Sequence, residues 1–193
     1  MTKPSKDNKT IAQTVGGVFG GDWKVHDYFD DDRKTHVDVL SSANRPQKGV
    51  NSFSTLGLSD HPIYKDGRRL KDVRVELLGA CGSAFKEFAN VVASSAFDMI
   101  KDKRFIAPGV IFPGVVKQYR PRSPMKNVMF IPPFLWPDLK TLKLPTKTVA
   151  WLLIVPVSDA EMKYAVKQGP AKLEELFEKH QIDVYDIDRP SVV

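Results

Sequence analysis

The stretch Thr148 to Val157, TVAWLLIVPV, is apolar at nearly every position, the pattern of a strand covered on both faces. It predicts the central strand of a sheet, with material packed above and below. Directly after it, Ser158 and Glu161 stand in the S-x-x-E relation of a capping box. There the serine oxygen accepts from a first-turn amide and the glutamate reaches back to the N-cap amide. A buried strand therefore feeds straight into a helix. Upstream, Pro132, Pro133 and Pro137 interrupt FIPPFLWPD. Proline cannot donate to a ladder, so Phe134, Leu135 and Trp136 are expected in an ordered extended loop beside the sheet.

The rest of the chain supplies neighbours for that strand. Residues 1–9 are polar and predict a disordered tail, leaving 10–193 as one domain. Ile11, Val15, Val18 and Phe19 share a helical face, with Thr10 as N-cap and Gly20-Gly21 as the stop. Trp23 to Phe29 and Thr35 to Leu40 read as a β-hairpin around Asp30-Asp31-Asp32-Arg33-Lys34. Val50 to Ser59 is a further strand, Asp66-Gly67 a tight turn, and Val73 to Leu77 a strand ending at Gly79. Ser83 is placed to cap a helix from Ala84 to Lys101 whose stripe is Phe85, Phe88, Val92, Ala96 and Met99. Val110 to Phe112 suggests a short strand. After the capping box, a helix carrying Met162, Ala165 and Val166 stops at Gly169. Pro170 opens another, with Leu173, Leu176 and Phe177 buried. Ile182, Val184 and Ile187 bring the chain back to the body before DRPSVV. The fold class is mixed α/β of the α+β kind: a single domain with a mixed, largely antiparallel sheet packed by helices.

An apolar share of 42% is ample for one continuous core. No apolar run is long enough to span a bilayer, and MTKPSKDNK lacks the apolar core of a signal peptide. The expectation is a soluble cytoplasmic protein with no membrane partner. The single cysteine, Cys81, has no partner for an internal disulfide. The formal charge of +6 raises the question of nucleic acid. Part of it lies on Lys3, Lys6 and Lys9, and Arg68-Arg69-Leu70-Lys71 and Lys117 to Arg122 fall in turns. Without a basic aromatic module, the pattern argues against a nucleic-acid partner.

Chemistry-bearing residues do not assemble into a site. Ser59-Asp60-His61 contains the residue types of a hydrolase triad, but consecutive residues do not converge as triads do. Asp30, Asp31 and Asp32 lack the ligand spacing and glycine of a calcium loop. His26, His36, His61 and His180 are scattered, with no metal motif. His26 and Asp38 are candidates for a pair on neighbouring strands. Cys81, between a strand and a helix, has no evident base, and GGVFGG is no phosphate loop. No catalytic residue, metal or cofactor is expected.

Seven strings then stand in order: HVDVLSSANRP (36–46), STLGLSDHP (54–62), VELLGA (75–80), APGVIFPGVV (107–116), SPMKNVMFIPPFLW (123–136), TVAWLLIVPVSDAE (148–161) and LEELFEKHQIDVYDIDRPSVV (173–193). From about His26 to the C-terminus the chain resembles the suppressor-of-fused-like domain, and more narrowly its bacterial single-domain members, immunity proteins encoded beside polymorphic toxins. The resemblance implies a mixed α/β domain without catalytic activity that binds a protein, in bacteria a cognate toxin, often a nuclease. The alternative is a regulatory peptide- or small-molecule-binding module of the same fold. Immunity proteins that plug a nuclease groove tend to be acidic, because they stand in for phosphate, whereas this chain is basic. The expected partner-binding residues are Asp30, Asp31 and Asp32 at the hairpin tip and Asp60 in the next turn, an acidic patch that steers a basic toxin. Trp136 beside Asp138 is the expected aromatic anchor; the alternative reading leaves the aspartates merely solvated and Trp136 in the core.

Overall fold

The computed structural model describes residues 4–70 and 73–193. Its elements in order are α1 (Lys6–Phe19), β1 (Trp23–Phe29), β2 (His36–Ser42), β3 (Val50–Leu56), β4 (Tyr64–Lys65), β5 (Arg68–Arg69), β6 (Val73–Gly82) and α2 (Phe88–Lys101). There follow β7 (Ile111–Phe112), β8 (Met125–Ile131), β9 (Leu142–Lys143), β10 (Thr148–Ser158), α3 (Asp159–Gln168) and α4 (Pro170–Lys179). Among the described residues the main sheet runs β1-β2-β3-β6-β10-β8-β7, with β9 also on β10 and β4-β5 a separate ribbon. β10 pairs β6 in parallel, and the other ladders are antiparallel. The sheet is therefore mixed and largely antiparallel.

β10 is central and buried, as its sequence requires. Leu152 and Ile154 pack into the cluster under α2, while Val149, Trp151, Leu153 and Val155 pack into the opposite cluster with α1, α4 and the proline-rich loop. Each such aliphatic side chain contributes about 1.5–3 kcal/mol by leaving water. Pro156 is tolerated because the pairing with β6 stops at Leu153↔Leu78, leaving only β8 beside it. The capping box closes at the strand's end: Glu161 N donates to Ser158 Oγ at 3.0 Å and Ser158 N to Glu161 Oε2 at 2.9 Å.

Several boundaries differ from the sequence expectation, each for a local reason. α1 begins at Lys6 because Ser5, not Thr10, is the N-cap and accepts from Asn8 N at 3.0 Å. Lys6 to Lys9 are thus helical rather than tail, and residues 1–3 of the expected tail lie outside the described residues. Gly16, a cost to helix propensity, lets Trp23 approach: a Cβ there would meet Trp23 Nε1 at 2.5 Å. β3 ends at Leu56, and Leu58–Asp60 form a 3-10 turn. β6 runs through Gly79 to Gly82, because β3 pairs with it as far as Val50↔Gly82, and residue 79 is a glycine within the strand because a side chain there would meet Phe88 Cε1 at 2.6 Å. Ser83 does not cap α2, which starts at Phe88, and Phe85 packs ahead of it, 6.2 Å from the Phe88 ring. The register sets His26 opposite Val39 and Asp38 opposite Asp27, so the expected His26–Asp38 pair does not form. Burial and the facing Asp27 instead raise the pKa of Asp38.

The C-terminal residues are not a loose end. Arg189 is buried and its guanidinium reaches Glu161 at 2.7 and 3.0 Å and the Pro156 carbonyl at 3.1 Å. Val192 N donates to Glu161 Oε1 at 3.1 Å, and Ser191 shares a hydrogen bond with Ser158. One carboxylate thus joins the α3 cap to the last residues of the chain.

Candidate protein-binding surface

The β1–β2 hairpin forms one edge of the sheet, and Asp30 holds its turn. Its backbone exchanges with Thr35 and Arg33, and its carboxylate accepts from Thr35 N at 3.0 Å. The same carboxylate meets Lys101, in the last turn of α2, at 2.9 Å, which fixes the tip over that helix end. The Thr35 amide first, and then Lys101, hold Asp30 well below the usual carboxylate range. Asp30 is buried and committed to the hairpin, so of the three tip aspartates it is the one not displayed. Asp31 and Asp32 are exposed, and Asp32 is partly neutralised by Lys34 at 3.1 Å and Lys101 at 3.4 Å. Beside them Phe29 stays 41% exposed, with the Arg33 guanidinium 4.3 Å above its ring and His36 at 5.8 Å. Val25 and part of Trp23 are exposed along the same edge strand. An edge of this kind presents unpaired backbone groups to solvent.

The other expected contact residues are dispersed. Asp60 is exposed on the 3-10 turn, where it accepts from Asn8 Nδ2 at 3.1 Å and pairs with Lys147. Trp136 is 4% exposed and packs on Phe19 with ring centroids 4.6 Å apart. As an anchor for a partner it is a correction: the proline-rich loop folds Trp136 inward beside Leu139 and turns Phe134 outward, 56% exposed. Asp138 is exposed beyond it.

The residues with catalytic potential have structural tasks. Ser59 N and Gly57 N both donate to Glu76 Oε1 at 3.0 Å, tying the turn to β6. His61 caps that turn, and burial lowers its pKa. Cys81 lies within β6, one residue before its last, rather than beyond the strand, and burial pushes its thiol up to about 12, away from the thiolate a nucleophile needs. Among the described residues no three His, Cys, Asp or Glu side chains converge as metal ligands, and no helix is long and apolar enough to cross a membrane. The exposed Phe29 and Phe134 were not separable in sequence from core aromatics; the signal at each is a neighbouring polar or proline run.

The family model for suppressor of fused protein matches residues 33–190. The chain belongs to the suppressor of fused family. It is 44% identical over 190 residues to Immunity protein YqcF of Bacillus subtilis, spanning 98% of both chains. The suppressor of fused fold recurs in solved structures at low identity. A putative homologue from Neisseria gonorrhoeae matches with a TM-score of 0.72 at 14% identity over 96% of each chain. A chain of the Sufu–Fu complex matches at 0.69 and 16%, over 98% of this chain and 93% of that one. Drosophila Suppressor of Fused matches at 0.54 and 15%, over 93% of this chain but 44% of its own.

Proposed function

We propose that this protein is an immunity protein that neutralises a cognate protein toxin in the cytoplasm by binding it stoichiometrically, without catalysis of its own. The observation that carries the reading is the end-to-end 44% identity to Immunity protein YqcF. The burial of Ser59 and Cys81 is in keeping with it, since neither side chain is presented to a substrate and the Cys81 thiol is held protonated. The contact surface we assign is the hairpin edge, where Phe29 offers apolar area and Asp31 and Asp32 offer charge, with Asp60 and Asp138 as outlying acidic groups. A toxin with nuclease activity presents a basic groove, and on a chain of net charge +6 these aspartates are local attractors rather than a global field.

Co-expression tests the reading: the chain should rescue growth from the toxin encoded beside it and leave an unrelated toxin lethal. Size-exclusion chromatography with light scattering should show a fixed-ratio complex. Rescue from many unrelated toxins would overturn specific immunity. The Asp31→Asn/Asp32→Asn variant should associate more slowly, with a weaker salt dependence and an unchanged melting temperature. An unchanged association rate would remove the tip from the contact.

A further inference from the structure

A second surface, away from the hairpin edge, opens an apolar cleft between core residues and an exposed phenylalanine. Ile131 at the end of β8, Val155 on β10 and Phe177 on α4 form the floor of a cleft of about 360 Å³, and Ile182 and Val184 form its far wall. That volume is toward the low end of ligand clefts, ~300–1,000 Å³, enough for one or two large side chains. Phe134 stands at the mouth, 56% exposed. Its amide donates to the Pro132 carbonyl at 2.9 Å, and the two preceding prolines restrict the backbone, so the ring is presented with little left to order on binding. A single exposed phenylalanine is ordinary on a protein surface. Here it continues an apolar cleft, and the rim of that cleft carries charge.

Glu174 and Glu178 line the same cleft from α4, one turn apart. Like charges at that spacing weaken a helix. Among the described residues neither has an ion-pair partner: Lys172 on the same helix is taken by Glu175 at 2.7 Å, and Arg189, 5.2 Å from the Phe177 ring, by Glu161. Burial, and then Glu178, raise the pKa of Glu174, so the pair is also held at a cost. A cation set between them would relieve the repulsion and offset the cost of burial. On a chain that is basic overall this is a local reversal of sign, and it would repel an anionic lipid surface.

We propose that this cleft is a docking site for an extended segment of a protein partner that inserts a Leu, Met or Phe side chain beside Phe134 and places an Arg or Lys between Glu174 and Glu178. The proposal rests on the chain being a protein binder, and not on that partner being a toxin. It is tested on the full chain with labelled Ile, Leu and Val methyl groups and two capped tetrapeptide probes, Arg-Leu-Phe-Arg and Glu-Leu-Phe-Glu. The basic probe should shift the methyl signals of Ile131, Val155, Ile182 and Val184, and the acidic probe should leave them in place. Glu174→Lys/Glu178→Lys should melt as the parent does and bind the basic probe at least tenfold more weakly. Unmoved methyl signals, or equal shifts with both probes, would overturn the proposal. In the growth assay, loss of protection by the variant supports use of the cleft, and protection equal to the parent's counts against it. If the parent itself fails to protect, the toxin reading falls, while the peptide arm still decides the cleft.

Discussion

Glu76 links the fold to pH. It lies in β6 opposite Trp151, fully buried, with Gly57 N and Ser59 N donating to one oxygen at 3.0 Å and Thr55 Oγ1 to the other at 2.6 Å. Desolvation outweighs these donors and pushes the carboxyl up to about 7 from its ordinary 4.5. Between those two values the native chain binds more protons than the unfolded one. The contribution of this group to stability is therefore greatest below about pH 4.5, falls as pH rises through the window, and levels off above about 7. At about 1.4 kcal/mol per unit the loss is about 3 kcal/mol, a substantial part of a domain's usual ~5–15 kcal/mol. Urea melts across this range on the parent and on Glu76→Gln isolate the group from the other carboxylates. The glutamine oxygen can still accept both amides, and its NH2 can donate to Thr55. The variant should match the parent near pH 4.5 and be more stable by about 3 kcal/mol near pH 8. Parallel pH profiles, or a variant less stable than the parent near pH 8, would mean that the three donors outweigh burial and that the native carboxylate is ionised.

Further outcomes follow from packing. Trp151→Ala should cost about 3–5 kcal/mol in denaturant melts, since the indole is buried and donates to the Lys140 carbonyl at 3.0 Å; a loss below about 1 kcal/mol would place the ring outside the core. Arg189→Met should cost about 3–5 kcal/mol by leaving Glu161 buried and unpaired. Adding Glu161→Gln should recover part of that, and a strictly additive double variant would refute coupling between the cap and the C-terminal residues. Cys81 should react with a thiol reagent near pH 8 at the rate of unfolding, because its thiol is buried and pushed up to about 12; fast labelling of the native chain would contradict its placement in β6.

The parts of the fold legible in sequence are those where one local pattern dominates. β10 reads as central because both of its faces are apolar, and the Ser158/Glu161 box marks the start of α3 without any tertiary information. Misread positions depend on partners remote in sequence. Gly79 looks like a strand end until the Phe88 ring is packed over it, and Gly16 looks like a helix defect until Trp23 stacks there. Asp30 looks like a display residue, but its use follows from Thr35 and Lys101, the latter brought in by α2. Arg189 gave no signal, because its value to the fold is a carboxylate 28 residues earlier.

This division explains why the sequence points to a family more readily than to a binding surface. The segments that carry the resemblance include the Leu58–Asp60 turn over Glu76, the Gly79 position under Phe88, and the β10 strand with its cap. All are fixed by internal packing, which any partner leaves intact. A partner must instead be recognised by groups the interior does not need, and here those are Phe29 with Asp31 and Asp32 on one edge, and Phe134 with Glu174 and Glu178 on the other side of the sheet order. Substitution at such groups alters binding with little effect on stability. A pair of variants with parental melting temperatures, one at the hairpin tip and one at the α4 rim, therefore separates recognition from folding. If both lost binding only together with stability, the premise that these groups are free of structural duty would fail.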